Sequence, residues 1–550
     1  MKVLIVGGVA GGASCAARLR RLDEKAEITI LERGEYISFA NCGLPYYIGG
    51  EITDKSRLTL QTPNSLKRRF NIDVRVFCEA VSVNPQAKCV TVREANGNTY
   101  TQNYDKLVLS PGAAPILPKM EGINNERVFT LRNIPDTLRT KGFIDVNKPR
   151  SAVVVGGGYV GIEMAENLVK AGIDVTVVEL SDHLIAPLDF DMAADVHHYV
   201  RSKGINLVLS TAVTAIKNRE QGLTVQTQKD NIDADMVIMS VGVKPETAFL
   251  SGSGIATNAR GSIIVDEQMR TSVEDIYAVG DAVEILSFIT KQPAFIPLAG
   301  PANKQGRIAA DNICGISSKY CGTQGSAVVK IFDMTVATTG LNESSAKAAG
   351  IDYDKTYTYS ASHATYYPGH SMMMIKVLWE KSSLKLIGAQ IVGKDGVDKR
   401  MDVLASAIRF GAKATDLVNL ELTYAPPFGS AKDPVNMIGY VAENVINGIV
   451  KQFYWHDVAK LARDGSVTLL DTRMVHEFAA GNIDGFINIP LDELRNRLDE
   501  IPKNKPVYVH CFSGHRSYVA CRILSAHGYE CYNLTGGWRL YESVISELQK

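Results

Sequence analysis

The chain has 550 residues, with 59 Lys and Arg against 59 Asp and Glu, so its formal net charge is zero. That balance offers no general attraction for nucleic acid or an anionic membrane surface, and any anionic ligand must be held by a local site. The length exceeds one core and predicts about three or four domains, while no apolar run is long enough to span a bilayer.

The opening MKVLIVGG is a short apolar stretch ending in glycines, followed by a basic helix, RLRRLDEK. It lacks the longer apolar core and small-residue cleavage site of a signal peptide, so we read it as a first β-strand and expect a cytoplasmic protein. Residues 2–33 then read strand, glycine-rich turn, helix, strand, acid. Gly7, Gly8, Gly11 and Gly12 frame the turn, Val9 stands where a dinucleotide fingerprint has its middle glycine, and Ala10 follows. Gly8 and Gly11 are candidates for the close backbone approach instead. Glu32, with Arg33 beside it, holds the place of the ribose-binding acid.

Directly after this unit comes SFANCGLPYYIGG (38–50). Cys42 lies among small and polar residues, where a thiolate could be stabilised by a helix dipole or by charge transfer to a flavin. Basic residues gather nearby at Arg18, Arg20, Arg21, Lys67, Arg68 and Arg69. They are either a solvated helix face or a seat for a phosphate-bearing substrate.

Residues 104–115 read as a buried strand followed by a Gly/Pro turn carrying Ser110 and Gly112. Residues 151–180 repeat the first unit with a complete GxGxxG at Gly156, Gly158 and Gly161, and Glu179 ends the next strand. An acid there accepts ribose hydroxyls and repels a 2′-phosphate, which favours NADH over NADPH. A stretch at 234–245 with Gly242 mirrors 104–115, and 272–282 is a strand ending in Gly280-Asp281 and Ala282. An aspartate so placed can reach the ribityl chain of a flavin. Residues 325–447 change to alternating strands followed by helices, an α+β pattern. After a short linker near 448–453 a third βα pattern begins and carries HCFSGHRS (510–517). There Cys511 ends an apolar strand and opens a six-residue loop into a helix. Such a loop, with Gly514 and Arg516, makes an anion cradle that lowers a thiol pKa and suits a persulfide. Cysteine phosphatases bind phosphate with the same kind of loop.

The nine cysteines are scattered, with no CxxC and no spacing for zinc. Mostly free thiols in a reducing compartment are expected, and no metal.

Two fingerprints, the Gly-Asp strand end and a C-terminal α+β domain together resemble the FAD-dependent pyridine nucleotide disulfide reductases over about residues 1–447. The single cysteine of SFANCGLPY resembles the coenzyme A-disulfide reductase group, as do PANKQGR (301–307) and TYAPPFGSAKDPVN (423–436). Residues 453–550 resemble a rhodanese domain, with Asp471-Thr472-Arg473, GNIDGFINIP (481–490, Asn482 replacing a histidine) and the persulfide cysteine at Cys511. A six-residue loop is typical of sulfurtransferases, a longer one of the phosphatase-type relatives.

The resemblance implies an α/β chain of four parts. They are an FAD-binding domain at 1–115 and 246–324, an NADH-binding domain at 116–245, a dimerisation domain at 325–448 and a rhodanese domain at 453–550. It implies a homodimer without nucleic-acid or membrane partners. FAD and NADH contacts extend to Asn41, Val81, Tyr159 as a nicotinamide gate, Glu163, Pro297 and Ala299. Coenzyme A contacts fall on Arg18, Arg21, Ser38, Asn41, Lys67, Asn303, Lys304 and Arg307, with Tyr424, Lys432 and Tyr366 or Tyr367 from the partner subunit. The implied activity is NADH-dependent reduction of CoA persulfide, polysulfide or CoA disulfide. Cys42 would form a mixed disulfide with CoA, and Cys511 would deliver sulfane sulfur. Two alternatives remain: an NADH oxidase using a Cys42 sulfenate, and a redox-sensing protein with the rhodanese fold as a docking module.

Overall fold

The computed structural model describes residues 1–550. Apolar runs of four or five residues, too short for helices and buried on both faces, become the central strands of parallel sheets. The first sheet has five parallel strands in the order 276–278, 106–109, 2–6, 27–31 and 73–75. The second repeats the arrangement with 206–208, 174–178, 151–155, 236–239 and 128–129. In both, the glycine turn leaves the carboxyl end of the middle strand, where α/β sheets place their ligands. Each is accompanied by a three-stranded antiparallel meander, at 78–103 and 213–234. Their short, half-polar strands gave no distinct pattern in the sequence.

These sheets lie in one compact unit, residues 1–181 and 204–325. A second unit holds residues 182–203 and 326–550. Its first part is an antiparallel sheet in the order 327–331, 334–340, 386–393, 372–380 and 353–361, with helices Val397–Arg409 and Pro434–Ile446. Its second part is a parallel sheet in the order 451–453, 531–534, 507–510, 468–471 and 487–488. Residues 451–453, expected as linker, are therefore an edge strand, and only 447–450 separate it from the preceding helix.

The helix Phe190–Ser202 departs from the expected NADH-binding segment. Its Asp191 joins Lys376 (2.9 Å), its His198 meets the carbonyl of Ser543 (2.9 Å), and its Arg201 pairs with Glu547 (2.6 Å). Its anchoring is thus in the second unit. Asp189, Asp191 and Glu343 converge there, and Lys376 Nζ sits among them at 2.7, 2.9 and 2.6 Å. No helix is long and apolar enough to cross a membrane.

Candidate active sites

The two glycine turns are equivalent residue by residue. A side chain at Gly7 would strike the Ser110 carbonyl, and one at Gly156 the Ser240 carbonyl. One at Gly12 would strike the Gly7 carbonyl, and one at Gly161 that of Gly156. These positions are glycine because strand, turn and helix pack backbone to backbone. Gly158 differs, since a Cβ there meets nothing within 4 Å. The protein itself does not require glycine at that place, which leaves room for a ligand. Gly8 and Gly11, expected to serve ligand approach, are constrained by packing: a Cβ would meet Ile37 at 2.7 Å and Val279 at 2.9 Å.

The acids match too. Glu32 accepts from the N–H groups of Gly8 (3.1 Å) and Gly34 (3.0 Å). Glu179 accepts from Gly157 (2.6 Å) and Ser181 (2.7 Å). Each carboxylate is held at the lip of its turn with acceptor capacity left for ribose hydroxyls. Arg33 pairs with Glu246 (2.6 Å). Gly112 lies against Arg132, and Gly280 N donates to Gln305 (2.7 Å). Burial raises the pKa of Asp281, with Arg132 opposing. The Ile116 N–H donates to the Gly242 carbonyl (2.9 Å), linking the two matching turns. Val81 occupies a bulge in strand 78–84, Ala282 is buried, and Ala299 begins the helix Ala299–Ile313 just after Pro297. Tyr159 and Glu163 lie on the second fingerprint helix, Tyr159–Lys170. An open wedge at Gly158, acids with spare lone pairs and a half-buried aspartate fit two dinucleotides.

Cys42 sits in a 3₁₀ turn, Asn41–Gly43, before the short helix Leu44–Ile48. Ser38, at positive φ, donates its N–H to the Gly8 carbonyl (2.9 Å), fastening the loop to the first turn. On the other side Tyr46 Oη donates to Glu163 (3.2 Å), and Gly49 lies against Asn167 of the same helix. The cysteine is therefore pinned between both fingerprints. It is exposed, and no cysteine in the chain is disulfide-bonded. Asn41 Oδ1 beside it is buried with no hydrogen-bond partner, an acceptor left for a ligand. The thiol is raised by partial burial, then by the charges of Glu163 and Asp281. This differs from the expected dipole stabilisation: the helix behind it has five residues, and the nearest charges are negative. Glu163 is itself pushed up to about 7 by burial, with Tyr46 opposing.

The residues expected to hold coenzyme A on this subunit fall mainly on two packed helices, Ala10–Leu22 and Ala299–Ile313. Arg18 pairs with Asp311 (2.7 Å), Ser14 donates to Asn303 (2.5 Å), and Arg21, Asn303, Lys304 and Arg307 are exposed. Lys67 Nζ donates to Asn71 Oδ1 (2.9 Å), just past the end of its own helix. Arg20 is neither a solvated charge nor a phosphate ligand. It is buried and donates to the carbonyls of Phe70, Asp23, Glu24, Ala26 and Asn71.

In the second unit, Tyr366, Tyr367, Tyr424 and Lys432 are exposed, and Tyr366 Oη meets Tyr424 Oη at 2.8 Å. Arg400, which the sequence did not single out, fixes the two loops that carry them. It is buried and donates to Asp433 (2.9 Å) and to the carbonyls of Ser362 (2.9 Å) and Phe428 (3.5 Å).

Cys511 follows strand Val507–His510 and precedes helix His515–Ala526. Trp538 N and Arg539 N, at the start of helix Gly537–Leu548, donate to the carbonyls of Cys511 (2.7 Å) and Phe512 (2.9 Å). Those carbonyls are thereby held outward, which turns the loop's N–H groups inward. Gly514 N and Ser517 Oγ both donate to Cys511 Sγ at 3.2 Å. Behind the loop, Arg473 binds Asp471 (2.7 Å) and the Gly481 carbonyl (2.6 Å) and stacks on Trp538. His510 is held down at about 4 by burial. Asn482 makes a local bond to the Phe478 carbonyl (3.3 Å). Arg516, expected to add charge to the cradle, gives both terminal nitrogens to Glu477, at 2.6 and 2.7 Å, and its charge also acts on Cys511.

The chain matches the pyridine nucleotide-disulphide oxidoreductase family over residues 1–306, that family's dimerisation domain over 326–434, and the rhodanese-like domain over 455–543. It is 37% identical to coenzyme A disulfide reductase of Staphylococcus epidermidis over 444 residues, covering 80% of this chain and 100% of that one. The crystal structure of reduced Bacillus anthracis CoADR-RHD is similar at a TM-score of 0.97 and 49% identity, covering 99% of this chain and 98% of that one. The NAD-dependent persulfide reductase from A. fulgidus is similar at 0.92 and 37%, covering 98% and 100%.

Proposed function

This chain belongs to the pyridine nucleotide-disulphide oxidoreductase family, and from that premise we propose that it is an NADH-dependent flavoprotein reducing CoA persulfide, polysulfide or CoA disulfide, with a sulfur-transferring rhodanese domain. The observation that carries the reading is the place of Cys42, one exposed and unpaired sulfur fastened to both nucleotide turns.

FAD, held by the first turn, Glu32 and Asp281, would accept hydride from NADH and return the electron pair to sulfur. Gly158 would admit the NADH pyrophosphate, Glu179 would take its ribose hydroxyls, and Tyr159 would cover the nicotinamide pocket. Val81, Ser110, Gly112, Gly242, Pro297 and Ala299 would complete the nucleotide walls. The four-part division would assign FAD, NADH, dimerisation and sulfur transfer to separate parts, and residues 182–203, inside the proposed NADH part, cluster with the second unit.

The Cys42 thiolate would attack the substrate's S–S bond. CoA thiolate leaves from CoA disulfide and hydrosulfide from CoA persulfide, and either way a Cys42–S–S–CoA disulfide remains. The departing thiol of lower pKa leaves faster. Arg18, Arg21, Lys304 and Arg307 would meet the phosphates of CoA, and Ser38, Asn41 and Asn303 its amides. In a homodimer, Tyr424, Lys432 and Tyr367 would face the thiol from the second subunit.

Denaturing the purified protein should release FAD and CoA. Cys42→Ser should abolish NADH turnover with CoA disulfide while NADH still bleaches the flavin absorbance. Loss of bleaching would contradict the assigned order. Oxygen uptake matching NADH consumption, without any sulfur substrate, would favour the oxidase alternative.

A further inference from the structure

An anion cradle holds its ligand with backbone N–H groups and a helix N-terminus, and an unmatched cation beside it strengthens the pull on a small dianion; at Cys511 the guanidinium groups are matched. The cradle contains two guanidinium groups, and each is met by its own carboxylate: Arg473 by Asp471 (2.7 Å) and Arg516 by Glu477 (2.6 and 2.7 Å). Glu477 is no passing partner. The Met474 N–H holds it from the other side at 2.8 Å, and Arg516 keeps its carboxyl down at about 2, so it remains ionised throughout the neutral range. Donation to the sulfur comes from two uncharged groups, Gly514 N and Ser517 Oγ. The residues exposed around the loop are apolar side chains and two imidazoles: Phe512 is 42% exposed, Met474 44% and Val475 62%, with His476 and His515 beside them.

We infer that Glu477 is a specificity-determining residue, cancelling the charge of Arg516 so that Cys511 takes sulfane sulfur from the end of an uncharged arm in preference to a small dianion such as thiosulfate. A persulfide on a pantetheine-type arm fits, because its amides and methylenes enter first and its phosphates lie at the far end. The inference rests on the sulfur-transfer reading of Cys511. In the favoured step, the Cys511 thiolate attacks the outer sulfur of R–S–SH. The Cys511–S bond forms, the donor's S–S bond breaks, RS⁻ leaves, and Cys511–S–SH remains. With thiosulfate, the same attack expels sulfite and leaves Cys511–S–S⁻. Cyanide then takes the outer sulfur as thiocyanate and regenerates the thiolate.

The test measures thiocyanate formation by the full chain at pH 8, above the ordinary imidazole range, with thiosulfate and with N-acetylcysteamine persulfide as donors. Removing the carboxylate leaves one cation facing a dianion, an attraction of about tenfold or more in kcat/KM at the effective dielectric of a protein surface. Glu477→Gln, which keeps an acceptor for Arg516 and Met474, should raise kcat/KM for thiosulfate by about that factor. The persulfide, ionised at its terminal sulfur at pH 8, brings one charge where thiosulfate brings two, so its value should rise less and the thiosulfate-to-persulfide ratio should climb. Glu477→Asp should keep the wild-type donor ratio, and NADH turnover at Cys42 serves as the check on folding. An unchanged donor ratio in Glu477→Gln, or equal loss with both donors, would overturn the inference. If wild type transfers sulfur from neither donor, the sulfur-transfer reading falls and takes this inference with it. If the Gln variant does not fold, ionic strength decides with wild type. A thiosulfate rate flat in salt supports a neutral mouth, and a steep fall with salt overturns it.

Discussion

Beside Cys42 stand two carboxyl groups rather than a cation. Burial raises the thiol, and Glu163 and Asp281 raise it further. Glu163 titrates near neutrality, at about 7, because burial outweighs its bond from Tyr46. Glu163→Gln keeps an acceptor for Tyr46 but removes the charge, so the Cys42 pKa should fall. The alkylation rate of reduced enzyme by iodoacetamide, followed against pH, should shift its midpoint downward. An unmoved or raised midpoint would mean that Glu163 does not act on the sulfur. The sequence singles out Cys42 by its place after a βαβ unit. The sequence names Glu163 and Asp281 as nucleotide contacts but not as neighbours of the sulfur, because Glu163 arrives from the other fingerprint helix. The same limit applies to the cations. Arg20 reads as ligand-binding charge, yet it is bound by five carbonyls, and the sequence does not show that Arg516 shares its charge between Cys511 and Glu477. A side chain's charge is written in the sequence; its partner is supplied by the fold.

At the scale of elements, both Rossmann-type units were readable because strand, turn, helix and acid follow in a fixed spacing that backbone packing demands. The structure divides their glycines into two kinds. Gly156 and Gly161 are closed by neighbouring carbonyls, whereas Gly158 faces open space. Gly161→Ala should therefore destabilise the first unit by about 1–3 kcal/mol or more, the usual range for overpacking. Gly158→Ala should melt like wild type while raising KM for NADH by about tenfold, roughly the 1.4 kcal/mol of one displaced contact. Paired thermal melts and NADH titrations check this. If Gly158→Ala melts as low as Gly161→Ala, the glycine serves the fold and not the ligand. The first turn carries Val9 at the equivalent place, so its ligand must approach by another route. The meanders at 78–103 and 213–234 and the edge strand 451–453 escaped the sequence reading for one reason. Strands of three to seven residues, partly polar and at sheet edges, carry too little alternation to stand out from loops.

At the scale of the whole molecule, the second unit is assembled around a buried charge cluster that no local pattern announced. Lys376 lies on strand 372–380, Asp189 and Asp191 at the start of the helix Phe190–Ser202, and Glu343 on the helix Glu343–Ala348. Tyr357 donates to Asp191 (2.6 Å), Lys355 donates to Glu343 (2.6 Å), and Trp455, from the first turn of the C-terminal domain, reaches Asp191 (3.3 Å). The cluster thereby joins three separate stretches of chain. Burial alone would raise the Glu343 carboxyl, but Lys376 and then Lys355 overcome it and hold the group well below its ordinary range. Burial likewise opposes the Lys376 charge, and the carboxylates Asp191, Asp189 and Glu343 overcome that. A carboxyl depressed in the folded state binds fewer protons than in the unfolded chain. Its contribution is complete above its unfolded pKa of about 4.5 and is lost as pH falls through its folded value. Lys376→Met fills the volume but leaves the acids facing one another with Lys355 as the remaining cation. Breaking a buried ion network from one side costs about 3–5 kcal/mol, so the second unit should melt markedly earlier near pH 7. Acid should narrow the gap: without their cation the stranded carboxyls of the variant take up protons already above about 4.5, while the wild-type carboxyls, held low, keep their ion pairs there. Calorimetry of both proteins from pH 7 to pH 4 measures this directly. A difference that stays constant over that interval would show that Lys376 stabilises the unit by packing its stem, not by holding three acids together.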